Sequence, residues 1–346
     1  PEGELMPDGQ PRPPIVVPCP PDADLIGEAV AAAASADVVV AVVGDRIELV
    51  GEGRSTATLE LVGGQVALLE ALAATGTPVV VVLMASKPLV LPQAVHDAAA
   101  LLWVANPGME GGRAIAELLL GQIEPSGRLP ISFARHAGQQ PTYYNQVRGQ
   151  HGNRYADLTQ SPAFAFGEGL SYTTVEYSGL RILPTHGDGS PVRGDGSPVR
   201  GDGPPVQGDG SPVRGDGSPV QGDGSGAHRG RITVDTRVLP TFTVADVLRA
   251  QVLVTNTGAR NVRETVQVYV SDSVTSASWA DKELKNYRQF DLAPGESRLV
   301  DIELPVDECS IVDAGGRRVV EPGDFELRVG PSSREESLLL AAFRVA

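Results

Sequence analysis

Three short apolar runs constrain this chain more than any other feature: VVVAVVG at 38–44, PVVVVLM at 78–84 and AALLWVA at 99–105. Each is strand-length and nearly free of polar residues, and the first two are rich in β-branched side chains. A strand buried on both faces of a parallel sheet has that composition, whereas a strand with one wet face alternates apolar with polar. Helical patterns separate the runs. PPDADLIGEAVAAAASA (20–36) is Ala-rich, with Asp22 or Asp24 able to cap it. GGQVALLEALAATG (63–76) sets Leu68, Leu69 and Leu72 on one face and stops at Gly76. LPQAVHDA (91–98) and EGGRAIAELLLG (110–121) read as further helices, IVVPC (15–19) as an opening strand and SGRLPISF (126–133) as a closing one. The alternation predicts βαβ units and a mostly parallel sheet covered on both faces.

Ligands in such sheets bind outside the carboxyl ends of the strands. The loop GDRIELVGEGRS (44–55) leaves the first run at that end and brings Asp45, Glu48 and Glu52 together with Arg46 and Arg54; Glu60 follows on TLEL. Two readings stand at this point. Carboxylates in a polar loop are ordinarily solvated, with Asp45 and Arg46 forming a local pair, or the loop is a reaction centre.

The rest of the chain changes character twice. Residues 134–178 carry aromatic-rich loops ending in FAFGEGLSYTTVEYS (164–178). Residues 187–226 are a heptapeptide array, GDGSPVR and its variants, in which Gly, Pro and Asp exclude a coiled coil. The glycine spacing of calcium-binding β-rolls is absent, so the array reads as a linker spanning roughly 35 Å root-mean-square for about 40 residues of flexible coil. From 231 to 346, short alternating segments such as VLRAQVLVTNTG, ETVQVYVSD, SRLVDIELP and DFELRVG are separated by Gly- and Pro-containing turns. That pattern predicts an antiparallel β-sandwich of about seven strands.

The 346 residues with 41% hydrophobic content suffice for two cored domains. A net charge of −15 argues against nucleic acid or an anionic membrane as partner. No apolar run approaches the roughly 20 residues of a membrane span. Cys19 and Cys309 are far apart, the five histidines are scattered, and no spacing suggests a metal or a cofactor. No phosphate loop, dinucleotide fingerprint or esterase elbow is present. The chain starts at Pro1 with an irregular Pro-rich segment, 1–14, that has no secretory signal core and suggests a fragment or processed product. A periplasmic, secreted or cytoplasmic setting fits equally.

Several segments, in order, resemble the C-terminal half of family 3 glycoside hydrolases, the β-glucosidase and β-xylosidase family. They are VVGDR with GEGRS, GGQVALLEALAATGTPVVVVL, ASKPLVL, PGMEGGRAIAELLLGQIEPSGRLPISF and FGEGLSYTTVEYS. VTNTGARNVRETVQVYVSD, KELKNYRQFDLAPGES and EPGDFELRVG are similar to that family's fibronectin type III-like domain. The resemblance implies an α/β sandwich over 15–180, the repeat linker over 187–226 and a fibronectin III-like sandwich over 231–346. It also implies a retaining hydrolase of terminal β-linked sugars, without cofactor, whose N-terminal (β/α)8 barrel supplies an Asp nucleophile absent from this sequence.

By the same resemblance Glu52, in GEGRS, occupies the position of the acid/base Glu, with Glu48 as runner-up. Retaining hydrolysis needs two carboxyl groups about 5–5.5 Å apart, one of them cycling between acid and base. Arg54 and Trp103 are candidate substrate contacts, although Arg54 opposes a raised carboxyl pKa unless turned away, and Trp103 also fits a core position. Lys87, in ASKPL, reads as a domain-interface residue; Tyr143, Tyr144 and Tyr155 line a sugar subsite or pack their loop. The alternative function is a non-catalytic fragment or subunit that binds carbohydrate or a separate barrel partner.

Overall fold

The computed structural model describes residues 5, 9, 19–46, 49–51, 56–147, 155–184 and 239–346. Helix α1 (Ala23–Ala33) starts where Asp22 accepts from the backbone N–H groups of Asp24 and Leu25, each at 3.1 Å. Strand β1 (Val39–Gly44), helix α2 (Gln65–Ala73), strand β2 (Val79–Met84), the short helix α3 (Gln93–His96), strand β3 (Ala100–Trp103) and helix α4 (Gly111–Leu119) follow. The three strands form a parallel sheet in the order β1-β2-β3, with Val39 beside Val79 and Val80 beside Ala100.

Alternate residues along the strands, Val39, Ala41 and Val43 on β1 with Val79, Val81 and Leu83 on β2, join the apolar faces of α1–α3 in one core that includes Ala33, Leu69, Leu72 and Val95. The opposite face does not match the expectation of burial on both sides. Val82 is sealed, but Val40 and Val42 of the edge strand are 46% and 61% exposed. Successive right-handed crossovers that step in one direction across a sheet put their helices on the same face. Helices α2 and α3 obey that rule and leave the other face of β1 uncovered among the described residues.

SGRLPISF does not become a strand of this sheet. Leu129 and Phe133 hydrogen-bond instead to the backbone of residues 163–168, giving one isolated antiparallel bridge, Phe133 to Phe164. Pro130 interrupts the segment and lacks the N–H a ladder needs.

The second domain has two sheets. Strand β4 (Val175–Ile182) pairs antiparallel with β6 (Val247–Asn256), which pairs with β9 (Ser297–Pro305). Facing them is a five-stranded sheet in the order β5-β13-β12-β7-β8. Its members are β5 (Thr241–Phe242), β7 (Val262–Asp272), β8 (Glu283–Leu292), β12 (Gly323–Gly330) and β13 (Leu339–Val345). A small hairpin, β10 (Ile311–Val312) with β11 (Arg318–Val319), lies at one side. Inward side chains such as Leu248, Val252, Val266, Val268, Ile302 and Phe343 fill the space between the sheets.

Strand β4 corrects the expected boundary at 180. Because Val175 pairs with Asn256 and Ile182 with Ala250, the sandwich begins before the repeats. The array therefore sits in a connection between two strands of one sandwich rather than between domains. The repeats themselves, the alternating segment ITVDTRV at 232–238, and residues 15–18 of the predicted opening strand lie outside the described residues.

The two domains are joined by polar contacts of their own. Arg334 Nε donates to Glu168 Oε2 at 2.8 Å, and its Nη2 donates to the Ala163 carbonyl at 2.8 Å. Gln267 Nε2 donates to the Gly167 carbonyl at 2.9 Å, and Ser333 Oγ donates to that of Phe166 at 2.8 Å. Tyr144 stacks on Phe166, ring centroids 4.2 Å apart, and meets the edge of Tyr269 at 5.9 Å.

Candidate functional site at the carboxyl edge of the parallel sheet

All three strands of the first sheet end at the same edge, at Gly44, Met84 and Trp103. Gly44 turns the chain out of β1 with φ +143, a conformation L side chains rarely adopt, and a Cβ there would fall 2.0 Å from the Met84 carbonyl oxygen. Only glycine fits. Gln65, the first residue of α2, holds both polar atoms of Gly44: its Oε1 accepts from the Gly44 N–H at 2.7 Å, and its Nε2 donates to the Gly44 carbonyl at 2.9 Å. The same amide nitrogen donates to Val62 O at 2.9 Å. Asp45 N then donates to Met84 O at 2.8 Å, the last moor before the loop departs.

A cleft of about 450 Å³ opens beside this exit, lined by Val42, Gly44, Asp45, Arg46, Gly63 and Met84 among others. Asp45 Oδ2 is buried and has no hydrogen-bond partner among the described residues. Beyond Arg46 the chain turns back, Leu49 N donating to Arg46 O at 2.9 Å, and Leu49 is buried. Ile47, Glu48 and residues 52–55, and with them the candidates Glu48, Glu52 and Arg54, lie outside the described residues.

The return of the loop is described. Lys87, three residues past β2, donates to Thr56 O at 3.2 Å, to Thr58 O at 3.3 Å and to Thr56 Oγ1. Val90 N donates to Leu59 O at 2.6 Å. Lys87 therefore holds a segment of its own domain. Both ends of the loop are tied to one stretch of chain, Met84 to Val90, at the exit of β2.

Trp103 ends β3 with its ring against the first core and edge-on to Phe133, centroids 5.3 Å apart. Its indole N–H donates to Ala85 O at 2.7 Å, which ties β3 to the same exit. Two residues on, Ala105 has φ +42, a left-handed conformation uncommon outside glycine and one that clusters at functional sites. No sequence signal announces that bend beyond the Asn-Pro-Gly that follows it. Of the three tyrosines, Tyr144 is stacked into the domain junction and Tyr155 donates to Gly138 O at 2.7 Å, while Tyr143 is exposed. Among the described residues no group of three His, Cys, Asp or Glu comes together as a metal cluster, and no helix is long and apolar enough to cross a membrane.

The profile of the glycosyl hydrolase family 3 C-terminal domain matches residues 15–172, and that of the fibronectin type III-like domain matches residues 264–333. A β-xylosidase of Formosa agariphila is 33% identical over 92% of this chain and 37% of its own length. A periplasmic β-glucosidase of Salmonella typhimurium is 32% identical over 89% of this chain and 34% of its own length. Among solved structures, a β-glucosidase involved in saponin metabolism from intestinal bacteria superposes with a TM-score of 0.78 at 47% identity, covering 99% of this chain and 41% of that one. The chain thus spans little more than a third of the length of the relatives it matches.

Proposed function

We propose, from the premise that the chain belongs to glycosyl hydrolase family 3 through its C-terminal and fibronectin type III-like domains, that it is the C-terminal portion of a retaining β-glycosidase. The substrates are terminal, non-reducing β-linked sugars, glucose or xylose first among them. Glu52 is the acid/base group, ahead of Glu48. It protonates the departing glycosidic oxygen as the bond to the anomeric carbon breaks, then takes a proton from the water that releases the glycosyl-enzyme. The nucleophilic carboxylate belongs to an N-terminal barrel, and no cofactor takes part. Arg54 is a sugar contact; Trp103 serves through its ring face alone, its N–H being held by Ala85.

What supports this reading is the mooring of the loop. Its two ends are tied to the exit of β2 at the carboxyl edge of a parallel sheet, where ligands bind in such folds.

The test is Glu52→Ala in the full-length protein expressed from the gene that encodes this chain. Hydrolysis of an alkyl β-glucoside is expected to fall by roughly 10²–10⁴-fold, the usual contribution of general acid–base catalysis. Azide, which needs no base to attack the anomeric carbon of the intermediate, restores turnover of substrates with activated leaving groups. Wild-type rates on the alkyl glucoside would sink the assignment, and the same loss in Glu48→Ala instead would transfer the role. The isolated chain is expected to be inactive on aryl β-glucosides until the barrel is supplied.

A further inference from the structure

We infer that the open edge of β1 and the bare face beside it are a docking surface for a β-strand and the helix that follows it, contributed by the portion of the parent protein that this chain does not contain. The inference rests on the chain being the C-terminal portion of a longer protein and is independent of Glu52. Backbone polar groups alternate between the two sides of a strand. Val39 N donates to Pro78 O at 2.9 Å and Asp45 N to Met84 O at 2.8 Å, so the odd-numbered residues of β1 face β2. The even-numbered ones face away. Gln65 takes both polar atoms of Gly44, but Val40 and Val42 each leave an N–H and a C=O without a partner among the described residues. An edge of this kind is a template for one more strand.

Further features fit the same occupant. Val38, Val40, Val42 and Met84 remain exposed, an apolar stripe that calls for apolar cover. Helix α1 is anchored at its far end, Thr77 Oγ1 donating to Ala33 O at 2.9 Å, yet Ala33 alone of its 11 residues is buried. At the carboxyl end of the same edge the cleft between Cys19 and Val42 holds Asp45, whose buried Oδ2 lacks a donor among the described residues. Handedness supplies the helix. The chain steps from β1 to β2 to β3 with α2 and α3 on one face. A strand on the free side of β1 whose chain steps outward reverses that direction, and its right-handed crossover lays the next helix on the opposite face, over Val40 and Val42. A second copy set edge to edge would satisfy the backbone and leave that face bare. Chain enough for such a unit exists: the matched profile is that of a C-terminal domain, and this chain spans 37% and 34% of the two relatives' lengths.

Hydrogen exchange in the full-length protein tests this at the amides of β1. Those of Ala41 and Val43, which face β2, are the internal standard. The Val40 and Val42 amides are expected to match them, at least about 10³-fold slower than in an unfolded chain. Exchange within roughly tenfold of the unfolded rate overturns the inference. A compact photoreactive side chain identifies the occupant. Val42→photo-methionine in the full-length protein, irradiated and digested, is expected to give a cross-link to a peptide N-terminal to this chain. A cross-link to residues 10–18, or to a second copy in an isotopically mixed sample, overturns the inference, and so does quenching by solvent with no peptide captured. The amide measurement uses the unaltered sequence, so it decides the matter even where the photoreactive variant fails to fold. Glu52→Ala with full activity would remove the catalytic assignment and leave these amides protected. Unprotected Val40 and Val42 beside an inactive Glu52→Ala would remove the docking surface alone.

Discussion

Arg128 and Glu264 form a buried ion pair across the two domains, Nη2 to Oε2 at 3.0 Å, with 10% and 3% of their side chains exposed. Glu264 Oε1 accepts at the same time from the Tyr177 hydroxyl of β4 at 2.8 Å. One carboxylate thus holds the segment after α4, the first strand of the sandwich and β7. Burial, and then the Glu264 charge, push the Tyr177 phenol far above its usual range, so the hydroxyl remains a donor at every accessible pH.

Removing one partner of a buried pair leaves the other charge uncompensated, at a cost of about 3–5 kcal/mol. Glu264→Gln, which keeps an acceptor for Tyr177 but strands the Arg128 guanidinium, is expected to lower the urea midpoint accordingly. Arg128→Met combined with Glu264→Leu should cost less than the two single changes summed, because neither charge is then left behind. Strict additivity would show that the pair carries no coupling.

At the exit of β1 the constraint is steric. Alanine at Gly44 sets a Cβ 2.0 Å from the Met84 carbonyl oxygen and imposes φ +143 on a residue with a side chain. Backbone strain and overpacking each cost about 1–3 kcal/mol. Gly44→Ala is therefore expected to lower stability by about 3 kcal/mol and to disturb the first domain most. Hydrogen exchange should show the loss of protection on β1 and β2, with β6 and β7 unchanged.

The two thiols differ in a way that labelling can read. Cys19 is exposed and Cys309 is buried, and burial pushes the Cys309 thiol up to about 12. An aromatic disulfide reagent at pH 8 is expected to modify one thiol per chain in the native protein and two after denaturation. In the unfolded chain Cys309 ionises near its ordinary value of about 8.5. The folded pKa lies above the unfolded one, so the contribution is complete below about 8.5 and is lost as pH rises toward 12. Stability should decline over that window, and Cys309→Ala should flatten the decline.

Much of this arrangement is legible in the residues. The three apolar runs gave the parallel strands because few other uses exist for such composition, and Asp22 stood in sequence where it stands as a cap. Strand β4 was assigned to the wrong side of the boundary because its partner is far along the chain: nothing local in VEYSGLRI distinguishes pairing with β6 from pairing with a neighbour. SGRLPISF failed for the same reason, an extended segment looking alike whether it meets a sheet or a loop. Apolarity reveals that Val40 and Val42 want cover, but not what covers them. The hold of Lys87 on Thr56 is a tertiary fact, invisible in ASKPL. Glu52 is singled out by resemblance, while the described residues supply the moorings on either side of it.

Strand β4 also changes what the repeat array can be expected to do. Ile182 is laddered to Ala250 and Leu183 N donates to Arg249 O at 2.8 Å on one side of the array. On the other side, β5 runs parallel to β13, with Thr241 beside Arg344. Both flanks are thus fixed by pairings inside one sandwich, and domain spacing does not depend on the array's length. Closing a loop costs only about 0.6 kcal/mol for each doubling of its length. Replacing residues 185–238 by a Gly/Ser connection of about ten residues is therefore expected to keep the fold and to raise stability by about 1.5 kcal/mol, read as a rise of a few degrees in Tm. Collapse of the sandwich in that variant would mean that the array contributes contacts of its own, and a drop confined to glycosidase activity would place its role at the substrate rather than in the fold.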